Sequence, residues 1–159
     1  MAHSQYGPYW DDISITDRFD KTQIPTYIHA GWYDNYSGAL LRNYMILKEM
    51  CAIDELRVSV TQTDHDARVV GDRDFGPNPA IDRFDVALRW LDWVVRGIDD
   101  GISEEPPIKF FTMGTNEWRT EADWPLPGTT FTPFYFHSDG DRHGALNNAS
   151  PLDELASEY

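Results

Sequence analysis

The sequence predicts an α/β layer followed by an all-β segment, and three observations carry that prediction. Strand-like apolar runs alternate with helix-periodic stretches as far as about residue 100. After Gly101 the helical periodicity stops, and aromatic-rich strands follow one another with Pro- and Trp-bearing loops between them. Only Cys51 is present, so no internal disulfide framework replaces a hydrophobic core, and no cysteine metal site is available.

Taken in chain order, residues 1–22 mix aromatics with acids ("YGPYWDDISITDRFD") and read as an irregular entry with one helical turn. "IPTYIHAGW" reads as a buried strand, with Pro25 at its start, where a missing N–H does least harm, and Gly31 near its close. "SGALLRNYMILKEM" is helical, with Leu40, Tyr44, Leu47 and Cys51 recurring at helical steps. "ELRVSVTQT" turns Leu56, Val58 and Val60 to one side, as a strand does. A polar loop follows, and Asn78 with Pro79 supplies a cap and a first helical position. The helix beyond carries Ile81, Phe84, Leu88, Leu91 and Val95 on one face, and Gly97 ends it. This alternation predicts parallel strands joined by right-handed crossovers. "PPIKFFTMG" and "TTFTPFYFHSDG" are the strands of the second segment.

Composition bounds the function. The chain has 159 residues, 41 % hydrophobic and 14 % aromatic, enough for a single core. Its net charge of −14 argues against a nucleic-acid or anionic-membrane partner. The apolar runs are shorter than a membrane span, and "MAHSQYGPYWDD" lacks the order of a signal peptide, so a cytoplasmic location is the default expectation.

The chemistry centres on two loops. Asp34 follows the first strand and His65 the second, 65 − 34 = 31 residues apart with one helix between. Loops after parallel strands share the carboxyl edge of the sheet, so these side chains are placed to meet. A carboxylate on imidazole Nδ1–H fixes the tautomer and stabilises the imidazolium that forms when the ring acts as a base. The bland alternatives are a turn aspartate and a solvated histidine. No Gly-x-Ser-x-Gly elbow occurs; Ser37 reads as a helix cap and Cys51 as a small core residue.

"YWDDISITDRFDKTQIPTYIHAGWYDNYSGALLRNY", "RWLDWVVRGIDDG", "PPIKFFTMGTNEWRTEADWPLP" and "TPFYFHSDG" together resemble the cocaine esterase and X-prolyl dipeptidyl peptidase family of serine α/β-hydrolases, which includes glutaryl acylases. The resemblance implies that Gly31, Trp32, Tyr33 and Asp34 form the phrase whose Asp is the triad acid. It implies that His65 is the triad base, although Thr61, Gln62, Thr63 and Asp64 replace the family's Gly-Pro-Trp-Ser before it. Tyr36 would help wall the acyl pocket. The implied fold is the C-terminal part of an α/β-hydrolase sheet over residues 1–105, then a linker and the first strands of a jelly roll over 106–159. The implied activity is cleavage of an ester or amide, on acyl ester or Xaa-Pro substrates, with no cofactor or metal. The nucleophile would come from an N-terminal half that this stretch lacks, and a sheet opened in this way invites homo-oligomers.

Other candidates are plainer. Asp64, His65, Asp66, Asp72 and Asp74 make an oxygen-rich loop without the Asp-x-Asp-x-Asp-Gly pattern of a calcium site. His137 and His143 flank a hairpin turn, and His29 reads as a hydrogen-bonded core histidine on a buried strand.

Overall fold

The computed structural model describes residues 5–51, 53–62, 69–76, 81–138 and 144–150. Two compact units divide the chain, residues 1–127 and 128–159. The sequence reading put the boundary at 105/106. The strands just beyond that point instead extend the first unit's sheet, because their apolar residues complete its core.

The entry segment holds a six-residue helix α1 (Pro8–Ile13) and a 3-10 helix (Thr16–Lys21). Strand β1 (Thr26–Gly31) leads into helix α2 (Ser37–Met50), and β2 (Leu56–Thr61) runs parallel to β1, with Gly31 in register with Thr61. A short hairpin, β3 (Val69–Val70) and β4 (Arg73–Asp74), precedes helix α3 (Arg83–Arg96). A 3-10 turn (Ile102–Glu104) leads to β5 (Ile108–Thr112), parallel to β2, and β6 (Glu117–Glu121) folds back antiparallel on β5. The sheet order is β1-β2-β5-β6.

Alternation decides what each face buries. Ile28 and Ala30 of β1, Val58 and Val60 of β2, and Ile108 and Phe110 of β5 point to one side and pack with Leu41, Tyr44 and Leu47 of α2 and with Phe19. Of the four residues at helical spacing in α2, Tyr44 and Leu47 are buried and Leu40 and Cys51 are partly buried, and Leu41, outside that spacing, is buried as well. The opposite side of the sheet carries Tyr27, Arg57 and Ser59, and there Trp90 of α3 packs edge-on against Tyr27, ring centres 5.4 Å apart. Arg57 is only 5 % exposed. Its guanidinium lies over the rings of Trp90 and Trp93, and it donates to the carbonyl oxygens of Ile102 (2.5 Å) and Ser103 (3.0 Å). One buried cation thus pins α3 and the following turn to the sheet.

Helices α2 and α3 therefore cover opposite faces, while both connections step the same way across the sheet. The two crossovers have opposite hands, so one departs from the expected right-handed rule. The second connection spans residues 62–107 and includes its own hairpin, so it is not the compact unit to which the rule applies.

Helix α3 departs from expectation at its start as well. Its N-cap is Asp82, whose carboxylate accepts from the amides of Phe84 and Asp85, so the helix starts at Arg83; Asn78 and Pro79 lie outside the described residues. The apolar face read from the sequence is largely exposed, Phe84, Leu88, Leu91 and Val95 at 69, 63, 51 and 74 %. The sheet is met instead by the two tryptophans. Gly97 closes the helix at φ 70°, as expected.

In the second unit, β7 (Tyr135–Ser138) pairs antiparallel with β8 (Gly144–Asn147), setting Phe136 opposite Leu146, both exposed. Among the described residues no helix is long and apolar enough to cross a membrane.

Candidate active site

Asp34 sits three residues past β1, at the carboxyl edge of the sheet. The amide of Asp34 donates to the Gly31 carbonyl at 3.0 Å, and the amide of Ser37 donates to the Asp34 carbonyl at 3.2 Å. One carboxylate oxygen of Asp34, Oδ1, accepts the amide of Tyr36 at 2.9 Å. Asp34 is thus a turn-former through an Asx-type bond, and it stands half-buried just past the strand end.

Ser37 does not cap the helix as expected. It is the first helical residue, after Tyr36 at the N-cap, and its hydroxyl donates to the carbonyls of Gly31 and Asp34 (2.8 Å to the latter). Those bonds close the turn from inside and occupy the hydroxyl. Tyr36 is exposed beside the turn.

Strand β2 lies directly beside β1 and ends at Thr61, followed by the buried Gln62. His65, three residues further, lies outside the described residues, as do Asp64 and Asp66. The chain is described again from residue 69, and Phe75 anchors it after the β3–β4 hairpin. This phenylalanine is buried between Tyr33, at 6.3 Å, and Phe111, at 6.1 Å. The residue preceding Asp34 is therefore in ring contact with the end of the segment that contains His65. Sequence reading missed Phe75, because a single aromatic in a polar loop carries no periodic signal.

A serine–histidine contact lies within the sheet itself. His29 Nδ1 and Ser59 Oγ are 2.8 Å apart, and Tyr27 also hydrogen-bonds Ser59. Burial pushes the Tyr27 phenol above its ordinary value, outweighing that hydrogen bond. Ser59 has no exposed surface and lies in mid-strand, so no substrate carbonyl reaches it. His29 makes the hydrogen bond its sequence position implied, but it is half-buried and lines a cavity with Tyr27, Phe84 and Leu91 rather than sitting in the core. Asp74 Oδ1 accepts the Gly76 amide, and among the described residues no cluster of His, Cys, Asp and Glu could hold a metal ion.

A mostly parallel sheet with helices on both faces and an acid at the end of one parallel strand belongs to the α/β class, and the hydrolase branch of that class is where comparison leads. A sequence profile of the X-Pro dipeptidyl-peptidase (S15) family matches residues 1–67. The cocaine esterase of Rhodococcus sp. (strain MB1 Bresler) is 33 % identical over 170 aligned residues, covering 100 % of this chain and 29 % of that protein. An aminopeptidase from a marine sediment Thaumarchaeota archaeon shares the fold, with a TM-score of 0.66 at 19 % identity, covering 98 % of this chain and 26 % of that one. A CocE/NonD family hydrolase from Staphylococcus aureus superposes with a TM-score of 0.60 at 15 % identity, covering 92 % and 24 %. The chain belongs to the S15-type family of hydrolases that includes the cocaine esterase. It spans less than a third of the length of these relatives.

Proposed function

We propose that this chain is the acid–base portion of a serine hydrolase that cleaves esters or amides through an acyl-enzyme. Asp34 orients His65, and His65 takes the proton from a serine hydroxyl supplied by polypeptide outside this sequence. Substrates are acyl esters or Xaa-Pro peptides, with Tyr36 at the wall of the acyl site. Residues 128–159 begin a jelly-roll domain.

The observation that carries this reading is the position of Asp34 at the carboxyl end of β1, directly beside the parallel strand β2 that leads into the His65 segment. Alone, the chain has no nucleophile in position, and ester turnover stays at background. A second reading, a non-catalytic packing or binding piece, is favoured by the exposed aromatics of the second unit, Phe131, Phe134 and Phe136.

The test mixes the chain with the separately produced nucleophile-bearing portion of a full-length relative and follows p-nitrophenyl ester cleavage. Turnover should arise only in the mixture and fall on the order of 10³-fold or more with His65→Ala. Turnover unaffected by that substitution, or none in a mixture whose association is verified, rejects the reading.

A further inference from the structure

Hydrogen bonds within residues 31–37 fix the shape of the Asp34 turn, but they do not fix how that turn stands on the sheet. Ring contacts made by the two residues just before the acid do so. Trp32 lies with the core under α2: its ring packs against Trp124 at 6.3 Å, and Trp124 meets Phe110 of β5 at 6.3 Å. Tyr33 goes to the other face, where its ring meets Phe75 at 6.3 Å and Phe75 meets Phe111 of β5 at 6.1 Å. Phe110 and Phe111 are neighbours in one strand and point to opposite sides of the sheet. The chain is thus gripped on both faces, at one level of β5, immediately before Asp34.

Phe75 is the link on the second face, and it is itself well fixed. Its side chain is 6 % exposed, against a fully buried Phe111 that it meets edge-on with the ring planes at 83°. Its backbone is held in a turn of its own. Asp74 Oδ1 accepts the Gly76 amide at 2.8 Å across it, and Gly76 takes φ 81°, a left-handed value that favours glycine. Tyr33 therefore rests on a ring that has little freedom to move.

We infer that Phe75 is a positioning residue for Asp34, acting through the Tyr33 ring and braced by Phe111. The inference rests on the proposed acid–base function and deepens it. A carboxylate orients an imidazole only from hydrogen-bonding distance, and a displacement of about 1 Å at such a site costs on the order of 10²-fold in rate. Phe75→Leu keeps an apolar side chain and removes the flat ring, while the Trp32 contacts remain. The turn is then held on one face only, and the expected loss is partial, about tenfold.

The test has two arms. On the chain alone, hydrogen exchange at the Tyr36 amide reports the bond to Asp34 Oδ1, and Phe75→Leu should speed it about tenfold. In the chain joined to the nucleophile-bearing portion of a relative, Phe75→Leu should lower kcat for a p-nitrophenyl ester about tenfold and leave KM within about twofold, since the acid acts in the transition state. Tyr33→Leu cuts the same link from its exposed side, and it serves should Phe75→Leu fold poorly. The two substitutions together should be no slower than the slower one alone. Lys48→Met, in the last turn of α2, is the control for general destabilisation and should move neither the Tyr36 exchange nor kcat. Unchanged exchange at Tyr36 overturns the inference, as does a rise in KM at constant kcat or a multiplication of the two losses. If Asp34→Asn destroys turnover and Phe75→Leu leaves kcat alone, this inference fails while the proposed function stands. If Asp34→Asn keeps full turnover, the proposed function fails and takes this inference with it.

Discussion

The indole Nε1–H of Trp32 donates to the carbonyl oxygen of Phe111 at 2.8 Å, joining the carboxyl ends of β1 and β5 across the strand between them. Trp32 stands two residues before Asp34 and also packs against Trp124, 6.3 Å away. This bond holds the strand end that presents the acid. Trp32→Phe keeps most of the ring area and removes the donor. Urea denaturation should report a loss of about 1–2 kcal/mol, and an unchanged midpoint would show that water replaces the indole without cost.

Asp34 has separable duties. Asp34→Asn keeps an oxygen for the Tyr36 amide and should hold stability within about 0.5 kcal/mol, whereas Asp34→Ala should cost about 1 kcal/mol through the lost turn bond. Ester turnover of the chain joined to a nucleophile-bearing portion should fall on the order of 10³- to 10⁴-fold with Asn, because the amide cannot fix the productive imidazole tautomer. Full turnover with Asn would make Asp34 a turn residue only.

Arg57 is the main polar anchor of the α3 face. Arg57→Met should cost about 2–4 kcal/mol, since two carbonyls lose their donor and two tryptophans lose the planar cation above them. Arg57→Lys keeps the charge but not the fork or the stacking, and should lie between. Denaturant midpoints at equal m-value decide this; a lysine variant as stable as the parent would assign the effect to charge alone.

The acid limb of stability follows from exposed carboxylates held by cations. Hydrogen bonding to Lys48 holds Asp123 below the usual carboxylate range, and Arg89 does the same for Asp100. Each carboxylate has a lower folded than unfolded value. The stability it adds is complete above about pH 5 and is lost as pH falls below about 3.9 toward the folded value. Lys48→Met should cost at most about 1 kcal/mol at pH 7, as exposed pairs do, and should flatten the decline below pH 4. Thermal melts across that range are the measurement, and an unchanged slope would discount the Lys48–Asp123 pair.

Much of this architecture was legible in the chain itself. The alternation of β1 and β2, the helical spacing of Tyr44 and Leu47 in α2 and Gly97 as the stop of α3 follow from local periodicity and backbone preference, which need no distant partner. The acid at the end of β1 was legible for the same reason: a strand that terminates in Gly31-Trp32-Tyr33 must turn, and a short acceptor makes that turn.

What the tertiary structure decided is where long-range pairing overrides a local pattern. The sequence supplies α3 with two apolar faces and no rule for choosing between them; contact with Tyr27 and Arg57 makes the tryptophan face the inner one. The strands after residue 105 resembled a new domain in composition, yet Ile108 and Phe110 fill the gap beside Val58 and Val60, so the first sheet takes them. Phe75 and the Trp32–Phe111 bond are likewise invisible along the chain, because they join residues 36 and 79 positions apart. Periodicity reports which side of an element is apolar; only the packed neighbours determine which apolar side is buried.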